Sequence, residues 1–545
     1  MGGQKKKNNF VLQAGILAAA GFIVKIISLI YRSPLLSIIG LEGNGYYSTA
    51  INIYTIILLI SSYSIPSAIS KLIAQKLAFK EYRNVQRIFQ CALLYVLIVG
   101  GAAAVFTYVA APFLMHDSPN SVMALRVLAP TIFFSGFLGV LRGYFQAHGS
   151  MLHTSLSQIL EQILNAVVSI LAAYLLIGTV ANEGETMKAV YGSAGSALGT
   201  GAGVVTALVF MLGMYLLNRK IINRRLNHDR TGEVDSYGEI FRLLFTIVTP
   251  FILSTFIYNC STVVNMEIYY KTMIDYKKMD SVGVHIDYGI FATQAVAVVN
   301  IPIAIASAMS SATIPGVSAS FAKKEYKKTR EQVAKAIRMT MLVSIPAAVG
   351  LMLLARPVMY FIFPQKEALD KASELLAMLA VTVILYGLST LTNAVLQGIG
   401  KVNTPVIHSA IALVIQVIGL VTLLTLTDLN LYALACANIM YSLIMCILNQ
   451  AAVRGRLGYR QEIVKTFIKP VIASLVMGAA AFGVYHGLYM ILPVSRIVLL
   501  IAIGVGASVY FVVILLIGGV DEKELKAFPK GAMLVHVAKK LHLLR

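Results

Sequence analysis

The sequence predicts an all-α polytopic membrane protein of 14 transmembrane helices, arranged as two parallel six-helix repeats with two extra C-terminal helices. Three observations predict it. The first is composition: of 545 residues, 58% are hydrophobic and only 13% charged, and the mean hydropathy is +0.78. A soluble globular chain sits near 45 to 50% apolar and about 25% charged. The second is fourteen apolar runs, each long enough for the roughly 20 residues that a bilayer-spanning helix needs. They are continuously apolar, whereas a transmembrane β-barrel would alternate in polarity over about 10 residues. The third is an internal repeat.

In chain order, helices 1 to 6 are expected at Val11 to Ile39, Tyr46 to Ile69, Ile88 to Ala111, Val122 to Ala147, Ser155 to Ile177 and Ala194 to Leu217. A polar, basic stretch from Asn218 to Gly238 reads as a linker. Helices 7 to 12 follow at Leu243 to Tyr269, Gly289 to Ile314, Ala336 to Phe363, Leu375 to Ile399, Val406 to Leu426 and Leu431 to Ala452. Helices 13 and 14, at Ile468 to Leu492 and Ile497 to Ile517, complete the set. The expected organisation is an N-lobe at 1–217, a cytoplasmic linker at 218–238, a C-lobe at 239–453, helices 13 and 14 within 454–517 and a cytoplasmic tail at 518–545.

The two six-helix blocks align with each other. An offset of 244 residues places Gly45 on Gly289 and Lys80-Glu81-Tyr82 on Lys324-Glu325-Tyr326 without a gap. At an offset of 251, Leu128-Ala129, Thr131, Gly136, Gln146 and Gly149 fall on Leu379-Ala380, Thr382, Gly387, Gln397 and Gly400, so helices 4 and 10 correspond. Internal repeats of this kind are a hallmark of transporter folds. With an even number of helices in each, both copies enter the membrane from the same side, which predicts a pseudo-twofold axis along the membrane normal and a cavity between two lobes.

The net charge of +21 comes from 45 Lys and Arg against 24 Asp and Glu. Thirty-three of the 45 cations fall in one alternate set of loops and termini, 8 in the other set, and four inside apolar runs. That is the positive-inside pattern. It predicts cytoplasmic termini and makes the basic excess a matter of topology; no nucleic-acid partner is expected. The basic N-terminus precedes a run much longer than a signal-peptide core, with no small-residue cleavage pattern, so helix 1 is expected to stay as an anchor.

The four intramembrane cations are Lys25, Arg32, Arg142 and Arg356. Lys25 and Arg32 are seven apart on helix 1 and share a face with Ser28. An unpaired cation near the bilayer centre costs on the order of 3 kcal/mol, so each must face water, protein or an anion. Either they pair structurally with an acid such as Glu161, or they line a hydrated cavity and bind an anionic group. Pro34 is expected to bend the outer end of helix 1, and Pro66 and Pro315, at the ends of helices 2 and 8, are candidate hinges. Arg142, in Leu141-Arg142-Gly143-Tyr144-Phe145-Gln146, lies about one turn above the cytoplasmic end of helix 4; its repeat mate is the uncharged Asn393. An interfacial anchor is the alternative account of Arg142. Glu161, Gln162 and Asn165 make a polar stripe on helix 5, Glu161 serving either as partner to Arg142 or Lys25 or as a proton or cation site. Gly-rich helix 6, Gly192 to Gly203, reads as small-residue packing. The candidate substrate-binding set is Lys25, Ser28, Arg32, Arg142, Glu161, Gln162, Asn393 and Gln397.

No Walker A, HExxH or GxSxG motif occurs, and the cytoplasmic loops are too short to fold a catalytic domain, so no enzyme is expected. His116, His148, His153 and His408 lie apart without ligand spacing. Cys91, Cys260, Cys436 and Cys446 fall in or beside apolar helices with no CxxC pair. No metal or other cofactor is expected.

Two segments carry a family resemblance. Tyr31-Arg32-Ser33-Pro34 through Gly43-Asn44-Gly45-Tyr46-Tyr47-Ser48-Thr49-Ala50, followed by Ser64-Ile65-Pro66-Ser67-Ala68-Ile69-Ser70-Lys71, resembles the start of the stage V sporulation protein B and peptidoglycan lipid flippase group. So does Leu141 to Gln146. The group belongs to the multidrug/oligosaccharidyl-lipid/polysaccharide exporter superfamily. The resemblance implies a V-shaped pair of six-helix lobes with helices 13 and 14 appended, in the plasma membrane of a bacterium. It also implies an anionic substrate, a polyprenyl diphosphate carrying a cell-wall sugar or sugar-peptide, lipid II foremost. In the Gram-negative lipid II flippases helices 1, 2 and 8 supply cavity arginines. Here Arg32 matches the helix 1 position, Lys25 comes close to another, and helices 2 and 8 supply none.

A cationic cavity gives a diphosphate charge-assisted hydrogen bonds. Outward movement of an anion across an inside-negative membrane is favourable by roughly 2.3 kcal/mol per charge per 100 mV. The expectation is therefore an alternating-access flippase, coupled to membrane potential or a monovalent cation, acting as a monomer. The alternatives are a flippase for polysaccharide or O-antigen-type lipid-linked oligosaccharides, a drug/cation antiporter of the same superfamily, and a non-transporting cell-wall scaffold.

Overall fold

The computed structural model describes residues 2–63, 65–227, 229, 234–401, 403–491, 495–525 and 531–540. Among them there is no strand. The helices run α1 Gly2–Leu58, α2 Ile65–Ala78, α3 Tyr82–Tyr95, α4 Gly101–Leu114, α5 Val122–Ala147, α6 Met151–Thr179, α7 Glu185–Leu217, α8 Arg219–Asn227, α9 Tyr237–Tyr270 and α10 Ser281–Gly289. They continue as α11 Val296–Ala322, α12 Tyr326–Leu353, α13 Ala355–Ile362, α14 Lys366–Gly398, α15 Asn403–Leu426, α16 Leu431–Leu457, α17 Lys469–Ile491, α18 Ser495–Leu516, α19 Glu522–Leu525 and α20 Gly531–Lys540.

Twelve stretches among the described residues are long and apolar enough to cross a membrane. The first, Ala19–Ser61, has 43 residues, about twice what a bilayer core accommodates. Its backbone leaves the helical region at Gly40, with φ 71° and ψ 176°, which divides it into two spans of roughly 20 residues. Pro34 lies within helical backbone, so the break stands six residues beyond the expected bend, at the residue that tolerates positive φ. α9, 34 residues long, adds a further helix, and the predicted fourteen spans are compatible with this architecture. Pro66 occupies the first turn of α2, where its missing N–H costs nothing. The side chain of Pro315 lies outside the described residues.

Helices extend past the predicted ends wherever the extra turns are polar. α12 begins at Tyr326, ten residues before the predicted start, because Tyr326 to Lys335 is rich in Lys, Arg and Glu. α9 gains its first turn from a capping box: Ser236 Oγ accepts from the Glu239 N–H, and Glu239 accepts from the Ser236 N–H.

The repeat is visible in backbone detail. Lys80 and Lys324 both adopt positive φ, 61° and 59°. The Lys80 N–H donates to the Leu77 carbonyl at 3.1 Å and the Glu81 N–H to Lys76 at 3.1 Å; Lys324 donates to Phe321 at 2.9 Å and Glu325 to Ser320 at 3.0 Å. These are two copies of one Schellman turn. Gly149 and Gly400 close α5 and α14 in the same way, with φ of 76° and 81°. The aligned Lys-Glu-Tyr and Gln-x-x-Gly motifs are thus the sequence imprint of two duplicated turns.

By internal contacts the chain separates into two units, Met1–Thr293 with Val417–Leu434, and Gln294–Gln416 with Ala435–Arg545. In the first, the glycine stripe of α7 meets α6 backbone to backbone. A Cβ at Gly195 would stand 2.4 Å from Ala173 Cα, and one at Gly203 would stand 2.5 Å from the Glu161 carbonyl oxygen. Small residues are therefore what let α6 and α7 approach. One end of this unit is cemented by Ile69, Ile73, Ile88, Phe89, Tyr144 and Met211, all buried. At the other end, Gly45 and Gly289, mates in the repeat, pack together: a Cβ on Gly289 would lie 3.0 Å from Gly45 Cα. The second unit has its own core around Ile337, Met341, Leu391 and Leu396. There Met339, Leu342, Ala473 and Ile514 seat α17 and α18 against α12. Large apolar side chains stay exposed on outer helix faces, Val105, Val109 and Phe113 on α4 at 65, 70 and 83%. Such a surface belongs in lipid rather than water.

Candidate functional site

Arg142 is placed by α5 and held by α6. Its Nη2 lies 2.7 Å from Glu161 Oε2, and its Nε donates to Ser157 Oγ at 2.9 Å. Ser157 in turn donates to the Thr154 carbonyl at 2.7 Å. The side chains are 14 and 29% exposed, so this is a largely buried, charge-assisted pair. Of the two partners open to Glu161 in the sequence, the structure gives it Arg142.

The helix 1 cations are arranged differently. Arg32 is half-buried and Nη1 donates to the Thr293 carbonyl at 3.0 Å, in the π-helical segment 290–295 that follows α10. A π turn changes the carbonyl register, and here one of its carbonyls faces a guanidinium. Thr293 Oγ1 donates to the Gly289 carbonyl at 2.8 Å and lies 2.7 Å from Asn44 Nδ2, which donates to it. Lys25 is exposed and Ser28 half-buried; Lys25 makes no hydrogen bond or ion pair among the described residues. Gln162 is half-buried beside Glu161, and Gln397 is exposed. Asn393 is buried and accepts from Asn449 Nδ2 at 2.7 Å. The structure therefore joins Arg142 to Glu161, while Arg32 meets a main-chain carbonyl and Asn393 meets Asn449.

Sequence reasoning missed a polar ladder in the first unit. Thr49 Oγ1 and Tyr270 OH are 2.6 Å apart, Asn52 Nδ2 donates to Tyr288 OH at 2.8 Å, and Asn44 bonds Thr293 as above. His285 is 1% exposed, its ring 5.6 Å from that of Tyr46 and 4.6 Å from that of Tyr270. The signal available was the aligned pair Gly45 and Gly289, whose approach brings these neighbours together. A second missed group is His408–Asn449–Asn393, in which His408 Nδ1 lies 2.7 Å from Asn449 Oδ1.

A third group anchors the linker. Lys76 Nζ sits 2.8 Å from Glu81 and 2.6 Å from Asp235. Arg87 donates to the Asp235 carbonyl at 2.7 Å, and its guanidinium lies 4.8 Å from the Tyr237 ring centroid. Burial acts to lower the Lys76 pKa, but hydrogen bonds to Asp235 and Glu81 outweigh it and hold the ammonium above its usual range. The Lys76 hydrogen bond, with that from Asn84, holds Glu81 below the usual carboxylate range.

The sequence profile of the family described as Lipid II flippase MurJ matches residues 74–502. The lipid II flippase MurJ of Bacillus subtilis (strain 168) is 26% identical over 523 residues, which cover 91% of this chain and 93% of that protein. Stage V sporulation protein B of the same organism is 23% identical over 542 residues, covering 96 and 98%. Among solved structures, a lipid II flippase MurJ in an inward closed conformation superposes with a TM-score of 0.65 at 14% identity, over 91% of this chain and 97% of that one. An inward-facing multidrug resistance transporter of the MATE family, from the MOP superfamily, also gives 0.65, at 18% identity and over 82 and 98%.

Proposed function

The chain belongs to the lipid II flippase MurJ family, and from that premise we propose that this multi-pass membrane protein carries lipid II from the cytoplasmic to the outer leaflet of a bacterial plasma membrane. Membership over residues 74–502 is the observation that carries the reading. The fold alone does not separate it from drug export, since a MATE transporter superposes equally well. Charge favours the lipid. Drug antiporters take cationic substrates and need free carboxylates, whereas here Glu161 is engaged by Arg142, and Lys25 and Arg32 add positive charge on helix 1.

In this reading Lys25, Arg32 and Arg142 receive the diphosphate, with Ser28 and Gln162 as neutral hydrogen-bonding neighbours. Each guanidinium or ammonium replaces water around a phosphate oxygen as the group leaves the aqueous phase. Arg142 and Glu161 form a poised pair: a diphosphate oxygen competes with the carboxylate for the guanidinium, so binding does not need a bare cation in the resting state. Access alternates between the two membrane faces, and both termini stay in the cytoplasm. The second unit holds an apolar cavity of about 560 Å³, walled by Ile305, Leu342, Pro346, Met477, Ile503 and Tyr510. Helices α17 and α18, which have no counterpart in the first repeat, supply one wall of it.

The test is flipping of fluorescent lipid II by the purified chain in proteoliposomes, read by accessibility to a membrane-impermeant quencher. Transport that falls at least tenfold in Arg32→Ala, with wild-type membrane yield, is expected. No flipping of lipid II alongside flipping of another lipid-linked oligosaccharide would move the substrate within the class. Flipping of neither would overturn the reading.

A further inference from the structure

The third helix of each repeat is interrupted at the corresponding position. In the first repeat the segment Val96–Gly100 between α3 and α4 is π-helical, and the offset of 244 that puts Tyr82 on Tyr326 puts this segment on residues 340–344 of α12. There the interruption is chemical: Pro346 lies inside α12, and with no N–H it cannot donate to the Leu342 carbonyl four residues earlier. Leu342 is 5% exposed, and a buried carbonyl left without a donor is costly, most of all in a membrane. The missing donor comes from outside the repeat. Tyr510 OH, on α18, donates to that carbonyl at 2.9 Å. α17 and α18 also grip α12 on either side of the break. Before it, Leu342 is buried with Ala473 and Ile514; beyond it, Leu354 is buried with Ala481 and Val498, and a Cβ at Gly478 would meet Leu353 and stand 3.1 Å from Val349 Cγ1. Between the two grips the packing opens: Leu342, Pro346, Gly350 and Leu354, one stripe of α12, line the apolar cavity of about 560 Å³, and Tyr510 lines it too.

We propose that Tyr510 is a positioning residue for transport: its hydroxyl stands in for the N–H that Pro346 lacks, and making or releasing that bond sets the bend of α12. The inference rests on the flippase reading and adds to it a part for the two appended helices. A helix bends at a proline because its ladder is open there, and hinge motion needs firm packing on either side of the bend and room beside it. α12 has both. The bond suits a catch, because a tyrosine hydroxyl can leave a carbonyl without exposing a charge, and an interhelical hydrogen bond within a membrane biases an equilibrium by only about three- to fivefold. The π-helical segment of the first repeat contains no proline, so it keeps its own N–H groups and can close its carbonyls within the helix. Dependence on an outside hydroxyl is thus confined to the repeat that α17 and α18 pack against.

The test is a double-mutant cycle on the full chain in lipid nanodiscs, read by hydrogen exchange over residues 343–353, together with lipid II flipping in proteoliposomes. Tyr510→Phe keeps the ring and removes the hydroxyl, so exchange in that segment is expected to rise, and flipping to fall, each by about three- to fivefold. Pro346→Ala returns an N–H to the ladder, and in that background Tyr510→Phe should change exchange by less than about twofold. Ser508→Ala removes from the same helix a hydroxyl that bonds within it, to the Gly504 carbonyl at 2.9 Å, and should match the wild type in both readings. An equal rise in exchange in the two backgrounds, or a rise in neither, overturns the catch. Raised exchange with wild-type flipping overturns the role in transport. Wild-type protein that flips no lipid II overturns the function proposed above, and the exchange cycle then decides the hinge by itself.

Discussion

Arg142 is held from two sides by neighbouring side chains. Its guanidinium is largely buried, and the Glu161 carboxylate and Ser157 hydroxyl satisfy it from one helix away. Removing the acid leaves a buried cation short of its countercharge. Glu161→Ala is expected to destabilise the folded protein by roughly 2–3 kcal/mol and Ser157→Ala by about 1 kcal/mol. Because both act through Arg142, the two losses should be strongly non-additive in an Arg142→Gln background. Thermal unfolding of the variants in one detergent, run as a double-mutant cycle, measures this; additive losses would separate Glu161 from Arg142. The pair was legible in the sequence because one acid and one cation on neighbouring helices have few other choices in a membrane. The Arg32 contact was not, since its acceptor is a main-chain carbonyl and every residue has one.

At the scale of elements, the duplicated turns give the sharpest expectations. Gly149→Ala and Gly400→Ala each place a Cβ in a left-handed conformation and should cost about 1 kcal/mol. Lys80→Gly and Lys324→Gly remove that strain and should be neutral or stabilising by up to about 1 kcal/mol. Unfolding midpoints of the four variants check the pattern, and equal effects within each pair follow from the repeat. The linker has a pH signature. Glu81, held low by Lys76, contributes stability that is present above the usual carboxylate value of 4.5 and lost as pH falls through its lowered one. Lys76, held high, contributes stability that is present below 10.5 and lost as pH rises through its raised value. Protease cleavage between α8 and α9 should therefore be slowest across the neutral range and faster at both extremes, and Lys76→Ala should remove that dependence. Apolar runs were readable because the bilayer demands them. The polar turns that lengthen α9 and α12 were not, because helix ends in water obey capping and local charge rather than hydropathy. The break at Gly40 was readable as well, since the sequence ends helix 1 at Ile39 and starts helix 2 at Tyr46, and the backbone leaves the helical region between them.

For the whole molecule, the charge asymmetry and the even-numbered repeat make one topological statement. Single cysteines at Lys80 and Lys324 should react with a membrane-impermeant maleimide from the same, cytoplasmic, side; opposite sides would break the parallel repeat. Direction of transport is the electrical counterpart. With the cation gradient fixed, an inside-negative potential should accelerate outward flipping of lipid II and its reversal should slow it, in proportion to the roughly 2.3 kcal/mol per charge per 100 mV available. A rate indifferent to potential would remove that driving force from the mechanism. The fold class was available from composition and repeat alone because both are summed over hundreds of residues. The candidate site depends on a handful, and the hydrogen-bonded group His408–Asn449–Asn393 contains no Asp, Glu, Lys or Arg to announce it.

The contact between Gly45 and Gly289 also bears on how such a chain can change over time. A position and its own duplicate share one seam, so whatever happens to either is felt by both. A methyl group added on one side already prises the helices apart, and a second on the other side meets a gap that is open. Drift at the two sites is therefore not independent. After the first loss little holds the second glycine in place, and while neither is lost each shelters the other. A change at either glycine is therefore expected to alter what the other tolerates, although the two stand 244 positions apart in the sequence.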